Sequence, residues 1–232
     1  LRLGTRVDAD QLSHGGYDEI IIATGINPRT PAIDGIDNPK VIGYIDAILG
    51  RKPVGERVAI IGAGGIGFDV AELISHSGKS SALDIDLFAK EWGVDFKNHP
   101  RGGVTGVEPE VAPSPRKIWL LQRKTSRVGR GLGKTTGWTH RLTLSRRGIQ
   151  MVPGVTYDRI TDEGIYCTIN GEPTLLEVDT IILCAGQEPL RDLYDALMET
   201  GANVSLIGGA YEAAELDAKR AINQAAYAAA AV

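Results

Sequence analysis

The sequence predicts an α/β protein: a Rossmann-like domain, with a parallel sheet and a small antiparallel β-meander, inserted between the two pieces of a second, partial domain. Three observations predict it. Short apolar runs at 18–24, 58–61 and 180–186 lead into glycine, as strands buried on both faces of a parallel sheet do. A glycine cluster at 62–67 opens a helix-period apolar pattern. Asn170-Gly171 separates two strand-like runs, a strong sequence mark of a tight hairpin.

The first strand reads Asp18-Glu19-Ile20-Ile21-Ile22-Ala23-Thr24, covered on both faces, and Gly25, Pro28 and Pro31 end it. Val58-Ala59-Ile60-Ile61 is the second. After it, Ile66, Val70, Leu73 and Ile74 fall at i, i+4, i+7 and i+8, one face of a helix that Gly78 should stop. Residues 79–117 carry Pro100, Pro109, Pro113, Pro115 and Gly102-Gly103, and read as an insertion with a short helix near 84–90. A strand is expected over 118–122, a glycine-rich basic loop over 123–137 and a helix over 138–147. The hairpin then pairs 165–169 with 175–178. The stretch 180–186 repeats the theme of the first strand, and 204–207 runs into Gly208-Gly209. The alanine-rich, proline-free chain from Glu212 onward favours a helix.

With 43% apolar and 23% charged residues, the composition is that of an ordinary globular protein and sets aside disorder, collagen and disulfide scaffolds. A net charge of −4 gives no global nucleic-acid footprint. No apolar run approaches the ~18 residues needed to cross a membrane. Neither nucleic acid nor membrane is therefore expected as a partner. Cys167 and Cys184 form no C-x-x-C pair and read as buried strand residues in a reduced, cytoplasmic compartment. The opening Leu1-Arg2-Leu3, without methionine or signal peptide, is expected of a processed or excised fragment. His14, His76, His99 and His140 show no metal-ligand spacing, so no metal site is predicted. No nucleophile elbow, H-E-x-x-H or P-loop is present, and no residue is nominated as catalytic. Tyr157 and Tyr166 read as strand formers of the meander.

The chemistry sits first in Gly62-x-Gly64-x-x-Gly67. A buried-type strand leads in and an amphipathic helix leads out, the context that makes this pattern a dinucleotide fingerprint. Gly62 permits the tight turn, Gly64 admits a pyrophosphate to the backbone, and Gly67 lets helix and strand pack closely. The helix N-terminus offers unpaired N–H groups to the phosphates. The next strand ends in Gln122-Arg123-Lys124, with Arg127 and Arg130 behind, where an NAD site usually places a carboxylate. An arginine there pairs with a 2′-phosphate, so NADPH is preferred; the alternative is a solvated basic loop. Ala23-Thr24-Gly25 and Cys184-Ala185-Gly186 end apolar strands in the same way. Such paired ends mark where two-dinucleotide flavoproteins cross between their FAD and NAD(P) domains, although either is also a plain strand-to-turn junction.

These residues give the chain a resemblance to the C-terminal region of bacterial NADPH-dependent 2,4-dienoyl-CoA reductases, multi-domain relatives of old yellow enzyme and trimethylamine dehydrogenase. The match is carried by Ala23-Thr24-Gly25 with Pro28-Arg29, the 62–67 loop, Glu91-Trp92-Gly93 and Leu121-Gln122-Arg123-Lys124. The run from Gly131 to Trp138, Cys184-Ala185-Gly186-Gln187-Glu188-Pro189 and Glu215-Leu216-Asp217-Ala218 complete it. The resemblance implies that NADPH passes hydride to FAD here. A 4Fe–4S cluster and FMN, in an N-terminal TIM barrel of the same polypeptide, would complete the reduction of an unsaturated acyl-CoA of fatty-acid β-oxidation. It places the NADPH pyrophosphate on Gly62, Ala63, Gly64, Gly65, Ile66 and Gly67, and the 2′-phosphate on Arg123 and Lys124. Ala23, Thr24, Gly25, Gly186 and Gln187 would lie along FAD, and Gly208, Gly209, Glu215 and Asp217 would form the closing flavin motif. Where many related flavoproteins have Gly-Asp, this chain has Gly209-Ala210, which leaves backbone contacts rather than a carboxylate for the ribityl chain.

The domain reading is a first partial FAD-binding segment at 1–55, the NADPH-binding domain at 56–185 with its insertion at 79–117, and a second partial FAD-binding segment at 186–232. Two alternatives remain. One is the same module in a related enone reductase or amine dehydrogenase. The other is a non-catalytic NADP(H)-sensing module, against which stand the FAD-type segments at both ends.

Overall fold

The computed structural model describes residues 1–96, 98, 106–214 and 218–232. The chain forms two compact units, Thr30–Ala185 and a second made of Leu1–Arg29 with Gly186–Val232. The first crossing thus falls at 29/30, earlier than the 55/56 boundary read from the sequence. The reason is local: strand Val41–Gly43 pairs in parallel with Thr180–Leu183 and joins the larger unit's sheet.

That sheet has five parallel strands in the order Val41–Gly43, Thr180–Leu183, Arg57–Ile61, Lys117–Leu121, Gln150–Val152. Side chains alternate between its faces because the strand period is two. Val58, Ile60, Ile118 and Leu120 pack with Phe68, Val70 and Ile74 of the helix Gly65–Ser75. Ala59, Ile61, Trp119 and Leu121 pack on the other face with Ile160, Ile165 and Leu176 of the meander. Both faces are covered, so the strands read as continuous apolar runs. The meander is the antiparallel trio Val155–Thr161, Gly164–Ile169 and Glu172–Leu176. Asn170 and Gly171 hold φ of 53° and 85° in its second turn, the positive pair that a two-residue hairpin needs.

Two helix expectations are corrected. Leu73 is 50% exposed, and the buried stripe instead runs through Gly67, Phe68, Val70, Ala71, Ile74 and Ser75. The helix lies with Phe68, rather than Leu73, toward the sheet. It ends at Ser75 with His76 extended, so Gly78 serves the turn beyond rather than the cap. In the insertion the short helix runs Ile85–Trp92. Asp84 caps it by accepting from the Asp86 and Leu87 amides, and Gly93 closes it at φ 67°. His99, Pro100 and Gly102-Gly103 lie outside the described residues.

The smaller unit pairs Ile20–Ile22 in parallel with Val204–Leu206, and Ile26–Pro28 antiparallel with Gln187–Pro189. Ile20 and Ile22 pack with Leu197 and Ala210. Ile21, however, is 36% exposed, so this strand is covered on one face in its own unit and not on both as its apolar run suggested. The C-terminal helix is Ala218–Ala230, starting later than Glu212.

Candidate functional site

In the larger unit the fingerprint glycines separate into two kinds. Gly62 has φ 111°, and a Cβ there would lie 2.2 Å from the Cys184 carbonyl oxygen on the neighbouring strand's end. At Gly67 a Cβ would sit 1.9 Å from the Gly62 carbonyl oxygen. Those two positions are closed by backbone. Gly64 and Gly65 face open space, with nothing within 4 Å of a Cβ. The loop is therefore pinned at its ends and free in its middle, the arrangement that lets phosphate oxygens reach main-chain N–H groups. Gly64 is the N-cap of the helix Gly65–Ser75; no side chain caps it and no acidic residue occupies the first turn. The positive end of the helix dipole is left uncompensated by side chains. A dinucleotide pyrophosphate fits this donor set.

Arg123 and Lys124 follow the neighbouring strand Lys117–Leu121 and are exposed. The Gln122 carboxamide folds the loop behind them, donating from Nε2 to the carbonyls of Lys124 (2.8 Å) and Ser126 (2.7 Å). Burial pushes the Tyr157 phenol well above its ordinary pKa, against the opposing charge of Arg123. The loop that follows is shaped by glycines. A Cβ on Gly137 would meet Leu132 Cβ at 2.6 Å, and Gly129, at φ 76°, lies against Phe68. Trp138 Nε1 donates to the Thr135 carbonyl at 3.0 Å.

In the smaller unit, Ala23-Thr24-Gly25 and Gly208-Gly209 follow the two parallel strands at the same end. A Cβ on Gly209 would come within 3.1 Å of the Gly25 carbonyl carbon. Thr24 Oγ1 donates to the Leu190 carbonyl at 2.6 Å, the Leu190 amide to the Gly25 carbonyl at 3.1 Å, and the Arg29 amide to the Gly186 carbonyl at 3.0 Å. The structure thus brings 23–25, 186–190 and 208–209 together within one unit. The Gly208 amide is already engaged by Gln224 Oε1 at 2.8 Å. Ala210 is fully buried. Arg191 was not singled out in the sequence. Its Nε donates to the Ala210 carbonyl at 2.9 Å and its Nη2 to the Tyr211 carbonyl, and no spacing marks such a clamp. Glu215 and Asp217 lie outside the described residues.

Both cysteines are buried and free. Burial lifts the Cys167 thiol to about 11, helped by the Asp158 charge, and burial alone lifts Cys184 to about 12. Neither is a thiolate at neutral pH. Among the described residues no group of three or more His, Cys, Asp or Glu could hold a metal, and no helix is long and apolar enough to cross a membrane.

A glycine loop between parallel strand and helix, in a chain whose second unit also has glycine-ended strands, meets its decisive comparison in a family model that matches residues 4–209. The chain belongs to the pyridine nucleotide-disulphide oxidoreductase family. It has that family's α/β Rossmann-like FAD/NAD(P)-binding fold, with a parallel sheet and a small antiparallel meander. It is 28% identical to a metal reductase of Desulforamulus reducens, over 86% of this chain and 28% of that protein. It is also 27% identical to a cinnamate reductase of Clostridium sporogenes, over 90% of this chain and 26% of that protein. A solved 2-naphthoyl-CoA reductase superposes with a TM-score of 0.69 at 22% identity, covering 96% of this chain and 28% of that one. The chain therefore spans little more than a quarter of the length of these relatives.

Proposed function

We propose that this chain is the module of a flavin-dependent reductase that takes NADPH at the 62–67 loop and passes its hydride to FAD, in an enzyme of the 2,4-dienoyl-CoA reductase type. The observation that carries the reading is the split among the fingerprint glycines, closed by backbone at 62 and 67 and open at 64 and 65. In this reading the larger unit is the NADPH-binding domain. The amides of residues 63–66 orient the pyrophosphate, while Arg123 and Lys124 hold the 2′-phosphate. The smaller unit is the partial FAD-binding domain, with Ala23, Thr24, Gly25, Gly186, Gln187, Gly208, Gly209, Glu215 and Asp217 along the flavin nucleotide. NADPH, when bound, supplies a hydride and FAD accepts it; the protein supplies position and field. FMN, a 4Fe–4S cluster and the acyl-CoA site would belong to a TIM barrel elsewhere in the same polypeptide, and the whole would be cytoplasmic.

A second reading keeps the module and changes the final acceptor. The names of a metal reductase and a cinnamate reductase among similar proteins favour it, since one module of this kind is compatible with unlike acceptors.

Calorimetric titration with NADPH and NADH at fixed, low salt tests the coenzyme assignment. NADPH is expected to bind at least about tenfold tighter, roughly 1.4 kcal/mol, and to weaken as salt is added. Arg123→Glu should erase that preference. Equal affinities, unchanged in the variant, would remove the 2′-phosphate assignment.

A further inference from the structure

The two sides of the larger unit's sheet are finished differently. On the meander side none of the large apolar residues of 155–176 stands out into solvent, whereas on the helix side several do. The helices Tyr44–Ile48, Gly65–Ser75 and Gly137–Arg146 lie side by side there, with Ala47, Phe68 and Leu144 turned inward to the sheet. The helix Ile85–Trp92 joins this layer through Trp92, whose ring meets that of Trp138 edge-on at 6.3 Å. Leu49, Leu73, Leu83, Ile85, Phe88 and Trp138 are exposed here, from 41% at Phe88 to 79% at Leu83. A large apolar surface of this kind, left without a covering layer, marks a place of contact with another molecule.

The charges on this side are sorted. Tyr44–Ile48, Gly65–Ser75 and Ile85–Trp92 carry five acids and one base, while the loop 127–136 and the helix Gly137–Arg146 carry five bases and no acid. Among the described residues Asp69, Asp86 and Glu91 enter no ion pair, and neither do Arg130, Lys134 and Arg146. Their charges are therefore left to act on whatever approaches. A face of one sign repels a copy of itself. A face with an acidic half and a basic half complements a copy of itself, because a two-fold axis sets each half opposite the other.

We propose that this helix face is where two copies of the chain meet, in an isologous dimer with the exposed apolar side chains between them. The acidic half of one copy then lies against the basic half of its partner, twice over. The sorting of charge is what selects a second copy as the occupant. A partner of one sign would be attracted by one half of the face and repelled by the other, whereas a copy of the chain satisfies both.

Sedimentation equilibrium on the chain over a concentration series tests it, and a monomer–dimer equilibrium is expected. Ile85 is 70% exposed, so Ile85→Glu should keep the parent's melting temperature. It should raise the dimer's dissociation constant about tenfold or more, since it sets a carboxylate among apolar side chains. Two double variants reverse one half each: Asp69→Lys with Asp86→Lys, and Arg130→Glu with Lys134→Glu, all at exposed positions. Each should be monomeric alone, and the two should form a mixed dimer when combined, one face now largely basic and the other largely acidic. A parent that stays monomeric at every concentration overturns the proposal. A dimer that Ile85→Glu leaves intact, and that Ile222→Glu with Tyr227→Glu dissolves, overturns it as well, by placing the contact on the exposed residues of the smaller unit. Reversed variants that dimerise alone, or that stay apart when mixed, would overturn the two-fold pairing of opposite halves.

Discussion

The two units treat the same kind of sequence differently. In the larger one, Val58-Ala59-Ile60-Ile61 is buried on both faces, between the helix Gly65–Ser75 and the meander. In the smaller, Ile20-Ile21-Ile22 is as apolar but lies in a two-stranded pair, with Ile21 36% exposed. A continuous apolar run therefore reports the capacity of a strand to be covered twice, and the number of covering layers is set elsewhere in the chain. The glycines of each unit divide alike. Gly62 and Gly67 are closed by backbone and Gly64 is open in the larger one; in the smaller, a Cβ on Gly209 would come within 3.1 Å of the Gly25 backbone, whereas one on Gly208 would have 3.5 Å to Ala221 Cβ.

The largest effect should come from Gly67→Ala. Its Cβ would lie 1.9 Å from a backbone oxygen, which no side-chain rotation relieves. Failure to fold is expected in denaturant unfolding, because a clash with fixed backbone exceeds the about 1–3 kcal/mol of ordinary core overpacking. Gly64→Ala, facing open space, should leave the midpoint within about 0.5 kcal/mol while weakening NADPH. Equal stability losses at 64 and 67 would break the division between closed and open glycines.

Truncating the strand cores comes next. Ile60→Ala, fully buried, should cost about 2–5 kcal/mol. Ile21→Ala should cost well under half as much, because its side chain still meets solvent. A comparable loss at Ile21 would show that its outer face is covered in solution.

The smallest effect concerns pH. Arg57 Nη2 meets Asp179 Oδ1 at 2.7 Å, joining the starts of two adjacent strands. The Arg57 hydrogen bond holds the Asp179 carboxyl below its usual 3.8. A lowered folded-state pKa means the contribution is complete above that usual value and is lost as the pH falls through the lowered one. Both groups meet solvent, so the effect is slight. Asp179→Asn should flatten the acid limb of the stability profile without changing its plateau much; an identical acid limb would remove this pair from the account.

Much of the larger unit was legible because its signals are local. The strand 58–61, the 62–67 loop, the capped helix after Asp84 and the Asn170-Gly171 turn each depend on backbone geometry that particular residues require. The compact units divide at 29/30 and not at the 55/56 read from the sequence, because the short strand Val41–Gly43 declares itself only through its partner Thr180–Leu183, far along the chain. The Phe68 side of the helix was missed because Phe68 and Leu73 are equally apolar, and only the sheet's position selects between them. Of the candidate site, the glycines and the Arg123-Lys124 strand end were visible as patterns, but the Arg191 clamp was not.

By itself the sequence determined the α/β class, the glycine loop with its entering strand and leaving helix, and the hairpin, since these rest on conformations that neighbouring residues impose on one another. Tertiary structure alone decided how many layers cover each strand, which helix face turns inward, and which glycines are closed by distant backbone. Those outcomes depend on contacts between separate segments, some as far apart as Gly62 and Cys184, and local propensity carries no information about such partners.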